Sequence, residues 1–234
     1  AQPSAQNDSP SAQADTPSND DAVWKFYIDG EYIGFMMTLQ ECFAEYNHMS
    51  SGTNFRMEAT ADCVINEEVM MEDGYFDHTN ASLVITTAAE KISRSGPAVI
   101  KRGDNFNGNL FECYSFESNA KFIFDQIEID GSNSSTSCGP VFVVAMHNTG
   151  NSTFQFGAEN SINTDYPKII NNHVANSTNL NKGAIAFIDD ADSKMNFEMR
   201  CGEISGNSAT NGSVFYNNSC TSINFNFYGG TITN

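Results

Sequence analysis

A chain of 234 residues, 40% hydrophobic and 12% aromatic, can bury a substantial core, and one elongated domain is the expectation. With 29 acidic against 11 basic residues the formal charge is −18, which repels nucleic acid and anionic membrane and excludes both as partners. No apolar run reaches the roughly 18 residues of a membrane span, and the 6 cysteines form no C-x-x-C pair to go with only 4 histidines, so no zinc site is expected.

Residues 1–22 contain no Phe, Tyr, Ile, Leu or Val and cannot offset the entropy of ordering, so they read as a disordered leader. The opening Ala1-Gln2-Pro3 reads as that of a mature or trimmed product. Order is expected over residues 23–234 as a single domain, with an N-terminal cap over 23–60. Val23 to Ile28 alternates apolar and polar residues as a strand does and ends on the turn pair Asp29-Gly30, with Tyr32 to Phe35 as its hairpin partner. Thr38 followed three residues later by Glu41 is a capping box, and Leu39, Cys42, Phe43 and Tyr46 share one helical face. The expectation is a short amphipathic helix over 38–47 that plugs the open end of the strand stack C-terminal to it.

Beyond Gly52 the apolar segments are strand-sized: Phe55 to Ala59, Cys63 to Ile65, Val69 to Met71 and Leu83 to Thr87. None of the later segments has a helical period. Arg56, Lys91, Arg94, Lys101, Arg102 and Lys121 would form at most a weak basic face of solvated charges. Short loop separations pair Cys42 with Cys63, Cys113 with Cys138 and Cys201 with Cys220 as disulfides, with buried free thiols as the alternative.

From residue 107 the chain repeats, and residues 107–234 hold the clearest copies. A Gly-x-apolar opening recurs at Gly108, Gly139, Gly183 and Gly212. An alternating aromatic strand comes after each, at Phe122 to Phe124, Phe154 to Phe156, Met195 to Phe197 and Ile223 to Phe225, and then a short third element around Ile127 to Gly131, Ile162, Ile204 and Ile232. The long interval between Gly139 and Gly183 holds a unit at Ile170 to Ala175 that resembles Ile204 to Ala209, flanked by polar insertions over 163–168 and 176–181. Such insertions map to loops on one side of a repeat stack, frequently the binding side.

Strands that recur about every thirty residues bury their apolar faces only by stacking on their neighbours. The fold expected is therefore all-β: a right-handed parallel β-helix with three strands per coil and a short N-terminal amphipathic capping helix. Phe124, Phe156, Phe197 and Phe225 should lie above one another inside it, with Asn and Gly at the corners. The run Ile204-Ser205-Gly206-Asn207-Ser208-Ala209-Thr210-Asn211-Gly212-Ser213-Val214 resembles the repeat of chlamydial polymorphic outer membrane proteins and related pectate-lyase-like surface proteins. There an F-x-x-N element precedes G-G-A and an aliphatic residue. Gly183-Ala184-Ile185 keeps the second half; Ile replaces Phe before the Asn, and Lys182 or Asn211 stands at the first glycine. The resemblance, over residues 80–234, implies right-handed solenoids displayed outside the cell, many of them adhesins. Thr233-Asn234 falls in mid-coil without a polar cap, as in a piece of a longer stalk.

β-Helices also carry lyases and glycoside hydrolases, which need paired carboxylates or Asp-bound calcium with a base. Asp189, Asp190 and Asp192 form an acidic turn without a full calcium-loop pattern, Asp125 and Asp130 read as corner residues, and Lys168, Lys182, Lys194 and Arg200 lie in no recognisable motif. His48, His78, His147 and His173 are isolated, and the sequons at Asn80, Asn133, Asn151, Asn176 and Asn211 are expected of Asn-rich turns. No catalytic, cofactor or metal residue is assigned. The reading is a non-catalytic, extracellular surface or secreted module of adhesin or stalk type, binding a host or environmental glycan or protein through the loops at 163–181 and its exposed strand faces. The alternatives are a carbohydrate-active β-helix enzyme and a structural filament self-associating through an open C-terminal coil.

Overall fold

The structure, a computed structural model, describes residues 24–48, 51–71, 79–114, 119–131, 138–145, 151–174, 183–188, 194–218 and 222–233. The chain starts on an antiparallel hairpin of β1 (Trp24–Ile28) and β2 (Glu31–Met36), followed by helix α1 (Leu39–Tyr46). Next come β3 (Asn54–Ala59), β4 (Cys63–Ile65) and β5 (Val69–Met71), then β6 (Ser82–Thr87), helix α2 (Ala89–Ser95), β7 (Ala98–Arg102) and β8 (Phe111–Tyr114). β9 (Lys121–Phe124), β10 (Ile127–Asp130) and β11 (Phe142–Ala145) lead to β12 (Asn151–Phe156), β13 (Lys168–Ile170), β14 (His173–Val174) and β15 (Ala186–Ile188). The chain continues with β16 (Lys194–Met199), β17 (Glu203–Ser205), β18 (Ser208–Ala209) and β19 (Phe215–Asn217), and the last strands are β20 (Ser222–Phe227) and β21 (Thr231–Ile232).

These strands form a mostly β structure with three large sheets. The first runs β2-β1-β3-β6-β9-β12-β16-β20, the second β4-β7-β10-β13-β17-β21 and the third β5-β8-β11-β15-β19; β14 and β18 pair separately. From β3 onward every pairing is parallel. The chain visits first, second and third sheet in that order and then begins again, so sequence neighbours lie in different sheets and hydrogen-bonded neighbours are one repeat apart.

The core arises from the period of two along each strand. In the first sheet Phe55, Leu83, Phe122, Phe154, Phe197 and Phe225 are in register, and so are Met57, Ile85, Phe124, Phe156, Met199 and Phe227. The single predicted ladder of Phe124, Phe156, Phe197 and Phe225 is thus two adjacent ladders. A two-residue slip keeps every side chain on the same face, so alternation alone could not detect it. Phe225, on the last strand, is 42% exposed. In the second sheet Cys63, Ile100, Ile129, Ile169, Ile204 and Ile232 align. Ile162, expected in that series, is instead 87% exposed in the turn before β13, and Ile169 takes its place. The third sheet aligns Phe111, Phe142, Ala186 and Phe215, which puts Gly108, Gly139, Gly183 and Gly212 at the same position, three residues ahead of each, as the repeat predicts.

The unit at residues 170–175 is also shifted, here by one residue: Ile169, not Ile170, matches Ile204, and Asn172 stacks on Asn207. Both asparagines are buried. The backbone N and Nδ2 of Asn172 donate to Asn207 Oδ1 at 3.0 and 2.9 Å, and Asn207 Nδ2 donates to Ile169 O at 2.8 Å, closing a corner whose backbone would otherwise lack partners.

Helix α1 forms where the capping box placed it. Glu41 N donates to Thr38 Oγ1 at 3.1 Å and Met37 N to Glu41 Oε2 at 2.7 Å, and the buried residues are Leu39, Cys42, Phe43 and Tyr46. The helix packs on β1, β2 and β5, bringing Phe43 within 6.2 Å of the Phe111 ring and 6.1 Å of Phe122, with Tyr46 edge-on to Phe55 at 4.8 Å. Thr38→Ala is expected to cost about 1 kcal/mol, read as a lower urea midpoint with an unchanged slope.

Three further expectations are corrected. Helix α2 exists although its sequence has no apolar stripe; it lies between β6 and β7, and Lys91, its buried residue, reaches Asp62 at 3.1 Å. The basic residues share no solvated face, since Arg102 is fully buried and its guanidinium donates to the carbonyls of Gly108 and Gly139. Cys42, Cys63, Cys113, Cys138 and Cys201 are free thiols; Cys220 lies outside the described residues. The pairings fail because parallel stacking brings together residues one repeat apart: Cys63 faces Ile100, and Cys113 faces Val144. The predicted leader at 1–22 and the insertion at 176–181 also lie outside the described residues.

Burial pushes the Cys63 thiol up to about 12, and it raises those of Cys42, Cys113 and Cys201 as well. The unfolded thiols, near roughly 8.5, lose protons that the folded ones keep, so this stability is complete below that pH and is lost as pH rises towards the folded values. The unfolding temperature is expected to decline from about pH 9 upward, with a shallower decline in Cys113→Ala. An identical slope in that variant would contradict the assignment.

Candidate functional site

The outward residues of the parallel strands form rows that cross the sheets. On the second sheet Glu128 of β10, Lys168 of β13 and Glu203 of β17 are in register, with Asp130, Ile170 and Ser205 as the next row. Lys168 Nζ lies 3.5 Å from Glu203 Oε2 and 5.1 Å from the centre of the Tyr166 ring. Ser205 Oγ donates to Glu203 Oε1 at 2.6 Å, and Asn171 Nδ2 donates to Asp130 Oδ1 at 3.1 Å.

Environment separates the two glutamates. Partial burial raises the Glu128 pKa, with the carboxylates of Asp130, Glu203 and Asp62 adding to the effect and Lys168 opposing it. Glu203 is lowered, first by the Ser205 hydroxyl and then by Lys168. With one strand between them their Cα atoms are about 9–10 Å apart at the usual strand spacing.

Beside this row stands the long turn of residues 157–167, which takes in residues 163–167 of the insertion expected over 163–168. Ser161 Oγ and Ala158 N donate to Asp125 Oδ1 at 2.7 and 3.2 Å, Gln126 Nε2 donates to Asn163 O at 2.8 Å, and Gly202 N donates to Thr164 O at 2.9 Å. Asp125 is thus a corner residue that ties the turn down. A cavity of about 690 Å³ opens next to it, lined by Thr164, Asp165, Lys168, Arg200, Glu203 and Thr231 among others. Arg200 is engaged by Glu198 at 2.9 Å and Glu159 at 3.3 Å and stacks over Tyr228.

The first sheet has a different outer face. Asn54, Ser82, Lys121, Thr153, Asn196 and Asn224 form one row in register across it. Ser82 Oγ donates to Asn54 Oδ1 at 2.7 Å and Asn224 Nδ2 to Asn196 Oδ1 at 3.0 Å. It is a polar surface of donors and acceptors at the strand repeat.

His173 bonds Ser208 Oγ at 2.6 Å beside β18, and His48 bonds Ala44 O at 2.6 Å, so neither joins these rows. Asp189, Asp190, Asp192, His78 and His147 lie outside the described residues. Among the described residues no group of three or more His, Cys, Asp or Glu is placed to hold a metal ion, and no helix is long and apolar enough to cross a membrane. Sequence reasoning missed Glu128 and Glu203. The signal was present: once Ile169 replaces Ile162, the residues before the stacked Ile129, Ile169 and Ile204 read Glu, Lys, Glu. No family model matches the chain, and no curated protein and no solved structure matches it.

Proposed function

We propose that the chain is a right-handed parallel β-helix of three strands per coil, closed at its first end by α1, and that it is a non-catalytic extracellular module of adhesin or stalk type. The cyclic use of three parallel sheets, the continuous ladders and the buried Asn207 of the repeat resembling the polymorphic outer membrane proteins support the fold. The observation that carries the binding role is the in-register row from Asn54 to Asn224, which offers amide and hydroxyl groups in series to a glycan or an extended protein surface. The formal charge of −18 keeps such a module soluble and turns anionic polymers away. An array of glycans and matrix proteins tests the role. A ligand bound by the wild type and released by the double change Thr153→Ala, Asn196→Ala supports it; a ligand unaffected by that change argues against it.

A second reading, a carbohydrate-active enzyme, is favoured by the Glu128, Lys168 and Glu203 row with its oppositely shifted carboxyls. A polysaccharide degradation screen run alongside the array separates the two. Activity lost in both Glu128→Gln and Glu203→Gln would replace the first reading with this one.

A further inference from the structure

Neither the polar row nor the glutamates use the last coil of the stack. Among the described residues β20, β21 and β19 are the final strands of the first, second and third sheets. The inward ladders therefore run out into solvent there: Phe225 is 42% exposed, Phe227 51% and Ile232 39%, with Tyr228 beside them at 62%. The opposite end is covered, because α1 lies over β5 and buries Leu39, Phe43 and Tyr46.

An open sheet edge ordinarily carries a lysine, a proline or an inward charge that keeps other strands away. This one carries none. Residues 204–234 contain no Asp, Glu, Lys, Arg, His or Pro, in a chain with 29 acidic and 11 basic residues. The register shows charge giving way position by position: Lys194, Glu198 and Glu203 of the preceding coil stand against Ser222, Asn226 and Thr231. Two copies of a chain of formal charge −18 can meet at such an end without setting like charges together. The order of residues in β20 also suits its own copy, since Ile223-Asn224-Phe225-Asn226-Phe227 keeps the same alternation read in either direction from Phe225. In antiparallel pairing with Phe225 opposite its equivalent, Asn224 falls opposite Asn226 and Ile223 opposite Phe227. Apolar side chains then stay on the core face and amides on the outer one.

We propose that the uncharged last coil is an interface with a second copy of this chain, the two joined end to end about a two-fold axis at Phe225 with their β20 strands paired antiparallel. The rings of Phe225, Phe227 and Tyr228 leave roughly 300 Å² of each copy uncovered. The pair hides roughly 600 Å² with them alone, before the strand edges are counted, against about 1,000 Å² for a specific interface. A two-fold contact uses the same patch on both copies and closes, and α1 leaves no second open coil on which a filament could grow. The pair does not depend on what the polar row binds, and it sets the rows of both copies on one continuous sheet.

Sedimentation equilibrium of the full chain tests the proposal. A monomer–dimer equilibrium is expected, with a dissociation constant of about 10 μM or below. At lower concentrations the chain is a monomer and Phe225 keeps its exposed edge. Added salt should tighten the dimer, because it screens the long-range repulsion and there is no ion pair at the contact to weaken. The double change Asn224→Glu, Asn226→Glu sets carboxylates opposite one another across the axis and should weaken the dimer roughly ten-fold or more, as should Asn224→Lys, Asn226→Lys. Mixed in equal amounts, the two variants should pair again, a result that a merely unfolded strand could not give. The two-fold pair is overturned by a wild type that stays monomeric to about 100 μM, by growth beyond the dimer, or by a dimer that dissociates as salt is raised. Variants that dimerise like the wild type, or a mixture that stays monomeric, overturn it equally.

Discussion

Replacing Phe154 with alanine is expected to lower the unfolding free energy by about 3–5 kcal/mol. The ring is fully buried and stacks on Phe197 at 5.5 Å with an interplanar angle of 26°, while Phe122 and Phe142 lie 5.5 and 5.6 Å away. Two of these neighbours belong to strands paired in register with β12, and hydrogen-bonded ladders hold those strands at a fixed spacing. The space left by the ring therefore cannot close, and the cavity adds to the lost transfer energy. Phe225→Ala is the matched comparison: the same ladder position on the last strand, already 42% exposed, should lose only about 1 kcal/mol. Urea unfolding of the two variants measures the difference, and equal losses would mean that the ladder is not internal.

Gly183→Ala should be nearly as damaging, at about 3 kcal/mol or more, for a different reason. The residue has φ of +72°, and an added Cβ would stand 2.1 Å from the Ala186 carbonyl oxygen and 2.9 Å from Tyr216 N, both backbone atoms held in the third sheet. The left-handed conformation alone costs a side-chain-bearing residue roughly 1–2 kcal/mol; relieving the contact shifts two strands. Gly30 provides the control. Its φ is +84° but nothing lies within 4 Å of the added atom, so Gly30→Ala should show the conformational cost alone. If thermal unfolding places the two variants at the same temperature, close approach of the chain at Gly183 is refuted.

These two positions mark how much the amino-acid order conveys. Gly183 was recognisable because Gly108, Gly139 and Gly212 recur with it, and the structure puts all four at one level of the third sheet. The capping box of Thr38 and Glu41 placed α1, because its determinants lie within one turn of chain. Phe154 was recognisable as a core residue but not by its partners. Alternation reports which face a residue occupies, and that is unchanged when a strand slides by two, so Phe197 was matched with Phe156 when it pairs with Phe154.

The candidate sites were harder to read for the same reason. Glu128, Lys168 and Glu203 are brought side by side by register, a property of three strands from different repeats, and no local motif encodes it. The same holds for Arg102, whose burial comes from the carbonyls of Gly108 and Gly139 around it, and for the cysteines, which close spacing paired and parallel stacking keeps apart. The order of residues by itself determined the class of structure, the repeat, its corner glycines and the first helix, all of which depend on composition, period and contacts short in sequence. Tertiary structure alone decided the registers, the state of the thiols and the grouping of the outer side chains, because parallel pairing joins residues a full repeat apart and a shift of one or two positions changes every neighbour.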